Sequence, residues 1–158
     1  ERYGADAVTV NPYLGFDSLE PYLDYADRGV FILCRTSNPG GADIQHLKLE
    51  SGDALYEHVA RQAAGPWNAN RNVGLVVGAT RPEELGHIRQ ICGEMTFLLP
   101  GVGAQGADVG AMMGAGQGGG MLISSSRAIL YAGAGDDFSD RAREVALATR
   151  NEINQYSN

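Results

Sequence analysis

Pro100-Gly101-Val102-Gly103-Ala104-Gln105-Gly106 is the stretch on which the fold turns. It follows the apolar run Met95-Thr96-Phe97-Leu98-Leu99, which predicts a β-strand, and precedes a helix expected to start near Ala107 or Asp108. Proline brings no N–H to a ladder and so ends the strand. Three glycines within six residues permit positive φ and close approach of backbone to a ligand. A strand, a glycine loop and a helix start leave unpaired N–H groups at a positive dipole end, which suits an anion such as phosphate. One strand later comes Ser124-Ser125-Ser126-Arg127, a second donor set at a second strand end. The two sets are read together as one phosphate site.

Working outward, apolar runs predict strands over residues 5–10, 30–34, 73–77, 95–99 and 121–124. The runs at 5–10 and 30–34 read as buried, the second apolar on both faces, as in parallel sheets covered by helices. Helical spacing predicts a helix from Asp17 or Ser18 to about Arg28, and another over 53–64. Thr80 fits the N-cap of a third helix, with Pro82 in its first turn and its end near Cys92. A short glycine-broken helix over 108–115, a helical turn over 127–131 and a last helix over 139–153 complete the pattern. Strand–helix alternation implies parallel strands joined by right-handed crossovers. The polar and glycine-rich loops fall at the carboxyl ends of strands, where parallel α/β proteins place their sites.

The bulk composition narrows the function classes. The chain has 158 residues, 44% apolar and 20% charged, within the range of soluble globular domains. A net charge of −7 provides no basic stripe for nucleic acid or a membrane surface. No apolar run approaches the roughly 20 residues of a membrane span. Cys34 and Cys92 lie far apart in apolar contexts and read as buried free thiols, as expected in a reducing cytoplasm. The single lysine is Lys48, in a polar connection.

Two parallel architectures compete. Gly101-Val102-Gly103-Ala104-Gln105-Gly106 matches G-x-G-x-x-G, a dinucleotide fingerprint that also requires a firm helix and an acidic residue at the next strand end. Gly110, Gly114 and Gly116 weaken that helix, and the next strand ends in serines and Arg127; an NADP-binding domain would use the arginine. In a (β/α)8 TIM barrel, the phosphate site is often built from the last two strand-to-helix loops and a short extra helix. This chain has that order, and such barrels need about 250 residues, so the expectation is an α/β chain supplying about the last five of eight β/α units of one domain.

Val10-Asn11-Pro12-Tyr13-Leu14-Gly15, Thr36-Ser37-Asn38-Pro39-Gly40, Thr80-Arg81-Pro82-Glu83, the Pro100–Gly106 loop and Ser125-Ser126-Arg127-Ala128-Ile129 occur in that order across nearly the whole chain. With these segments the chain resembles the orotidine 5′-phosphate decarboxylases, in particular their longer bacterial and mycobacterial-type subgroup. The resemblance implies decarboxylation of orotidine 5′-phosphate to UMP in pyrimidine biosynthesis, with no metal or organic cofactor, by a cytoplasmic homodimer. It implies that Ser37 hydrogen-bonds the pyrimidine, that Gln105 bridges phosphate and Ser37, and that Arg127 pairs with the phosphate. Gly101, Gly103 and Ser126 would add donors around that phosphate. Pro100 and Val102 would line the pocket, with Leu33 and Val77 near the leaving carboxylate. Arginine suits phosphate because its guanidinium forms a charge-assisted fork; glutamine, both donor and acceptor, can join two unlike groups.

The chain departs from the family in one respect. The family's chemistry rests on an Asp-x-Lys-x-x-Asp motif, and these 158 residues contain none. The expectation is that the motif precedes Glu1, that no catalytic residue lies in this chain, and that these residues alone are inactive and fold poorly. Other enzymes on the same scaffold, a sugar-phosphate decarboxylase or aldolase, and a non-catalytic phosphate-binding barrel remain alternatives.

Each signal also has a structural explanation. The glycine loop could be a tight crossover, Ser37 a turn cap beside Pro39, and Arg127 a surface salt-bridge residue. His46, His58 and His87 lack metal-ligand spacing. Asp136 and Asp137 suit the dipole of the last helix. Cys34 has no basic partner in sequence to activate it, and Trp67 reads as packing over a loop.

Overall fold

The computed structural model describes residues 3–102 and 108–156. Its strands are β1 (Ala7–Val10), β2 (Gly29–Arg35), β3 (Val73–Val77), β4 (Phe97–Pro100) and β5 (Met121–Ser124). They form one sheet in chain order, and every neighbouring pair is parallel. A doubly wound nucleotide-binding sheet would reverse its order at a switch point. Unbroken sequential order is instead that of a partial (β/α)8 barrel, and it removes the structural basis for the NADP alternative.

The helices are α1 (Phe16–Leu23), α2 (Ala42–Gln45), α3 (Leu55–Ala64), α4 (Pro82–Cys92), α5 (Val109–Gly116), α6 (Arg127–Leu130) and α7 (Phe138–Asn154). The core lies between helices and sheet. Val30, Ile32, Leu75, Val77, Phe97 and Leu99 pack there with Leu19, Ala60, Leu85, Ile88 and Met112. Alternation along each strand turns the intervening residues to the other face. Register aligns Leu33, Val76, Leu98 and Leu122 in one lateral row of that face. Exposure rises from 6% at Val76 to 51% at Leu122 on the edge strand. No described helix is long and apolar enough to cross a membrane.

Several expectations change. The first strand is not buried: Ala7, Val8 and Thr9 are exposed because β1 is an edge with a neighbour on one side only. The first helix ends at Leu23 rather than near Arg28. Distant side chains take its last carbonyl and two of the turn that follows: Asn70 Nδ2 donates to Leu23 O at 2.9 Å, and Asn72 Nδ2 reaches Leu23, Tyr25 and Arg28 O, each at 3.1 Å. The N-cap of α4 is Arg81, not Thr80, with Pro82 as the first helical residue. Helix α5 runs unbroken through Gly110 and Gly114. Asp108 Oδ1 caps it from Ala111 N at 2.9 Å, and Gly110 lets the Tyr156 hydroxyl approach where a Cβ would sit 2.9 Å away. Pro100 is the final residue of β4, opposite Ser124.

Candidate functional site

The carboxyl ends of β2 to β5 are tied together beyond the regular ladder. Gly78 N donates to Arg35 O at 2.7 Å, Ala79 N to Pro100 O at 3.3 Å, and Gly101 N to Ser124 O at 3.2 Å. Ser125 Oγ adds a bond to Val102 O at 2.8 Å. These bonds carry strand order into the loops and hold the loop starts side by side. Gly101 needs its missing side chain, because its φ of 102° lies in the left-handed region.

Between these loops lies a cleft of about 180 Å³ lined by Ser37, Pro100, Gly101, Val102, Ser124, Ser126 and Arg127. Six of the residues singled out from sequence therefore meet in one place, although Ser37 and Arg127 are separated by three strands. Pro100 and Gly101 are half-buried; Val102 is almost wholly buried and borders the cleft from beneath. Ser126 and Arg127 are exposed at its rim. Gly103 and Gln105 lie outside the described residues. Leu33 is half-buried in the lateral row and does not line this cleft. Val77 does not line it either: it is fully buried on the helix-facing side, and Val76 is the residue that alternation turns towards Leu33.

The electrostatics distinguish two arginines. At the amino ends of the strands, Arg89 is 7% exposed and reaches four carbonyls. Its Nε donates to Gly116 O at 3.0 Å, Nη1 to Gly93 O at 2.7 Å and Met95 O at 2.5 Å, and Nη2 to Gly120 O at 3.3 Å. The guanidinium also stands 3.8 Å from the centre of the Phe97 ring. Burial draws its pKa down from the usual arginine value, while the carbonyls and ring favour its charge. At the opposite ends of the strands, Arg127 makes no ion pair or side-chain hydrogen bond among the described residues. One guanidinium is used by the fold; the other borders the cleft without a side-chain partner among the described residues.

The serine loop has its own support. A register shift in β2 between Leu33 and Arg35 makes two successive residues, Cys34 and Arg35, buried. Arg35, only 3% exposed, contacts Glu84 Oε2 at 2.7 Å on α4. Sequence reading did not single out Arg35, because nothing local distinguishes a buried strand arginine from an exposed one. Its partner Glu84 lies 49 positions later, in the first turn of α4, and also contacts His46 at 3.1 Å.

The remaining candidates serve structure. His87 Nε2 lies 2.8 Å from Glu57 Oε1, and Lys48, largely exposed, lies 3.8 Å from Glu57 Oε2. Glu57 also accepts the Ala54 N–H at 2.5 Å; that hydrogen bond, ahead of the nearby Lys48 and His87, lowers its pKa despite burial. The Cys34 thiol donates to Tyr56 O at 3.3 Å, and burial pushes its pKa far above the usual thiol value. Cys92, half-buried, is raised to about 11 for the same reason. Both cysteines are free. Asp137 pairs with Arg141 at 3.1 Å rather than capping α7 with its side chain. Trp67 packs against the core after α3.

Residues 1–137 match one protein family, described as "Orotidine 5′-phosphate decarboxylase / HUMPS family". The chain belongs to that family. It is 58% identical over 159 residues to the orotidine 5′-phosphate decarboxylase of Azoarcus sp. (strain BH72), covering 99% of this chain and 58% of that protein. It is likewise 58% identical over 161 residues to the enzyme of that name from Ralstonia pickettii (strain 12J), covering 100% of this chain and 59% of the relative. The solved structure of Leishmania donovani OMP decarboxylase superimposes with a TM-score of 0.82 at 42% identity, over 99% of this chain and 59% of that one. The chain thus spans 58–59% of the length of these orotidine 5′-phosphate decarboxylases.

Proposed function

We propose that these five β/α units are the nucleotide-gripping, carboxyl-terminal part of an orotidine 5′-phosphate decarboxylase, which converts orotidine 5′-phosphate to UMP in pyrimidine biosynthesis. The observation that carries this reading is the meeting of Arg127, which has no side-chain partner among the described residues, with Ser126, the Gly101 turn and Ser37 in one cleft. A cation with no counter-charge among the described residues, beside serines and a glycine turn, suits a phosphate monoester. Ser37, at the other end of the cleft, hydrogen-bonds the pyrimidine. Pro100 and Val102 form the wall between them. Gln105, with Gly103 in the intervening loop, bridges the two ends when substrate is bound.

Phosphate binding then serves a reaction some distance away. Energy gained at Arg127 can close the loop over the base and exclude water, which lowers the barrier rather than merely retaining substrate. The Asp-x-Lys-x-x-Asp motif, absent from these 158 residues, completes the site: its charged network disfavours the substrate carboxylate, and its lysine protonates the carbon left when CO2 departs. These residues alone are therefore inactive. No cofactor enters the scheme, and the enzyme works as a homodimer in the cytoplasm.

Calorimetric titration of UMP or 6-aza-UMP into the full-length protein tests the reading. Arg127→Ala is expected to weaken binding by about 1.5–3 kcal/mol, a factor of roughly 10 to 150. Equal affinity in both proteins would exclude the phosphate role.

A further inference from the structure

The loop that carries Ser37 is wound around one side chain, the carboxamide of Gln45. Gln45 Oε1 accepts from Thr36 N at 3.0 Å and from Arg35 Nη1 at 3.0 Å, and Gln45 Nε2 donates to Thr36 Oγ1 at 2.8 Å. Thr36 Oγ1 continues the chain of bonds to Asn38 Oδ1 at 2.6 Å. The residues on both sides of Ser37 are therefore fixed, while the Ser37 hydroxyl makes no hydrogen bond among the described residues. Arg35 in turn is held by Glu84 and also donates to Thr36 O.

Two glycines let this arrangement close. A Cβ on Gly41 would sit 2.8 Å from Thr36 Oγ1 and 3.1 Å from Gln45 Oε1. A Cβ on Gly78 would lie 2.8 Å from Ser37 N and 2.9 Å from its Cβ. The Ser37 backbone is thus pressed between β3 on one side and the Gln45 network on the other. Gln45 does not line the cleft.

We propose that Gln45 is a positioning residue for the reaction: through Thr36 and Arg35 it fixes where the Ser37 hydroxyl meets the base. The proposal rests on the function assigned to the cleft above. It distinguishes two kinds of contribution that a stability measurement alone would merge. A merely structural glutamine would affect folding equally whatever occupies position 37. A positioning glutamine matters to catalysis only while Ser37 has a hydroxyl to place.

A double-mutant cycle in the full-length protein separates these cases, with kcat/KM for orotidine 5′-phosphate and thermal midpoint measured for each variant. Gln45→Ala is expected to lower kcat/KM about tenfold with Ser37 present, but no more than about twofold in the Ser37→Ala background. The two backgrounds should show the same change in midpoint. Should Gln45→Ala not fold, Gln45→Glu takes its place: it keeps the acceptor for Thr36 N and Arg35 and loses the donor to Thr36 Oγ1. Equal losses of kcat/KM in both backgrounds, or no loss in either, overturn the proposal while leaving the decarboxylase reading intact. A wild-type protein that does not decarboxylate orotidine 5′-phosphate overturns both.

Discussion

Arg89→Met removes the guanidinium that joins the amino ends of β4 and β5 while keeping most of the apolar stem. Four carbonyls, at Gly93, Met95, Gly116 and Gly120, lose their shared donor, and the Phe97 ring loses its cation. Hydrogen bonds to a charged group contribute about 1.5–3 kcal/mol each, but their losses do not simply add, since water and local relaxation recover part. The vacated volume also faces Gly119, where a Cβ would collide with the guanidinium, so the backbone there has been shaped around this arginine. A net loss of about 3–5 kcal/mol is expected, a large share of the roughly 5–15 kcal/mol that stabilises a typical domain. Urea titration of the full-length protein, followed by circular dichroism, gives the number directly. Arg89→Lys should recover less than half of the loss, because one ammonium cannot span four acceptors in a fork. A destabilisation below about 1 kcal/mol for Arg89→Met would refute the view that this arginine ties the strand ends.

Gly78→Ala forces a methyl group against Ser37 and should destabilise by about 1–3 kcal/mol, with a fall in kcat/KM for orotidine 5′-phosphate; unchanged kinetics would contradict the close contact. Glu57 has a folded pKa below its ordinary value of 4.5, so its stabilising effect is complete above that value and is lost as pH falls through the lower folded pKa. Glu57→Gln should accordingly be less stable than wild type at neutral pH, with the gap narrowing in acid as measured by denaturant titration. Cys34, 4% exposed with a raised pKa, should resist a thiol reagent at pH 8 in the native protein and react at the unfolding rate in denaturant.

Much of the framework was legible because it rests on local rules. The run at 73–77 was legible as a strand from its apolar residues, though its burial throughout its length was not singled out. Pro82 with two following glutamates marked the start of α4 to within a residue or two. The meeting of these residues in one cleft was legible for a different reason: Ser37, the Gly101 turn and Arg127 each follow a strand, and parallel strands bring their carboxyl ends to one side. What escaped depends on partners far away in the chain. Helix α1 stops where Asn70 and Asn72 take the carbonyls of Leu23, Tyr25 and Arg28, 44 to 49 positions distant. Helix α2 has only four residues and lies in a polar stretch with no helical period to reveal it. Arg35 and Arg89 look like ordinary arginines until the acceptors that surround them are assembled. Val77, which the resemblance places near the leaving carboxylate, is buried in the core on the helix-facing side of its strand, a placement that depends on where β3 begins its alternation.

The bonds from Gly78 N, Ala79 N and Gly101 N cross from each loop to its neighbour, so none of the three amides can open to solvent without loosening an adjoining loop. Their hydrogen exchange should therefore be correlated: an anion that settles beside Gly101 should slow deuterium uptake not only there but also at Ala79 and Gly78, beside Ser37. The loops at the carboxyl ends of β3 and β4 would then respond to such an anion as one unit.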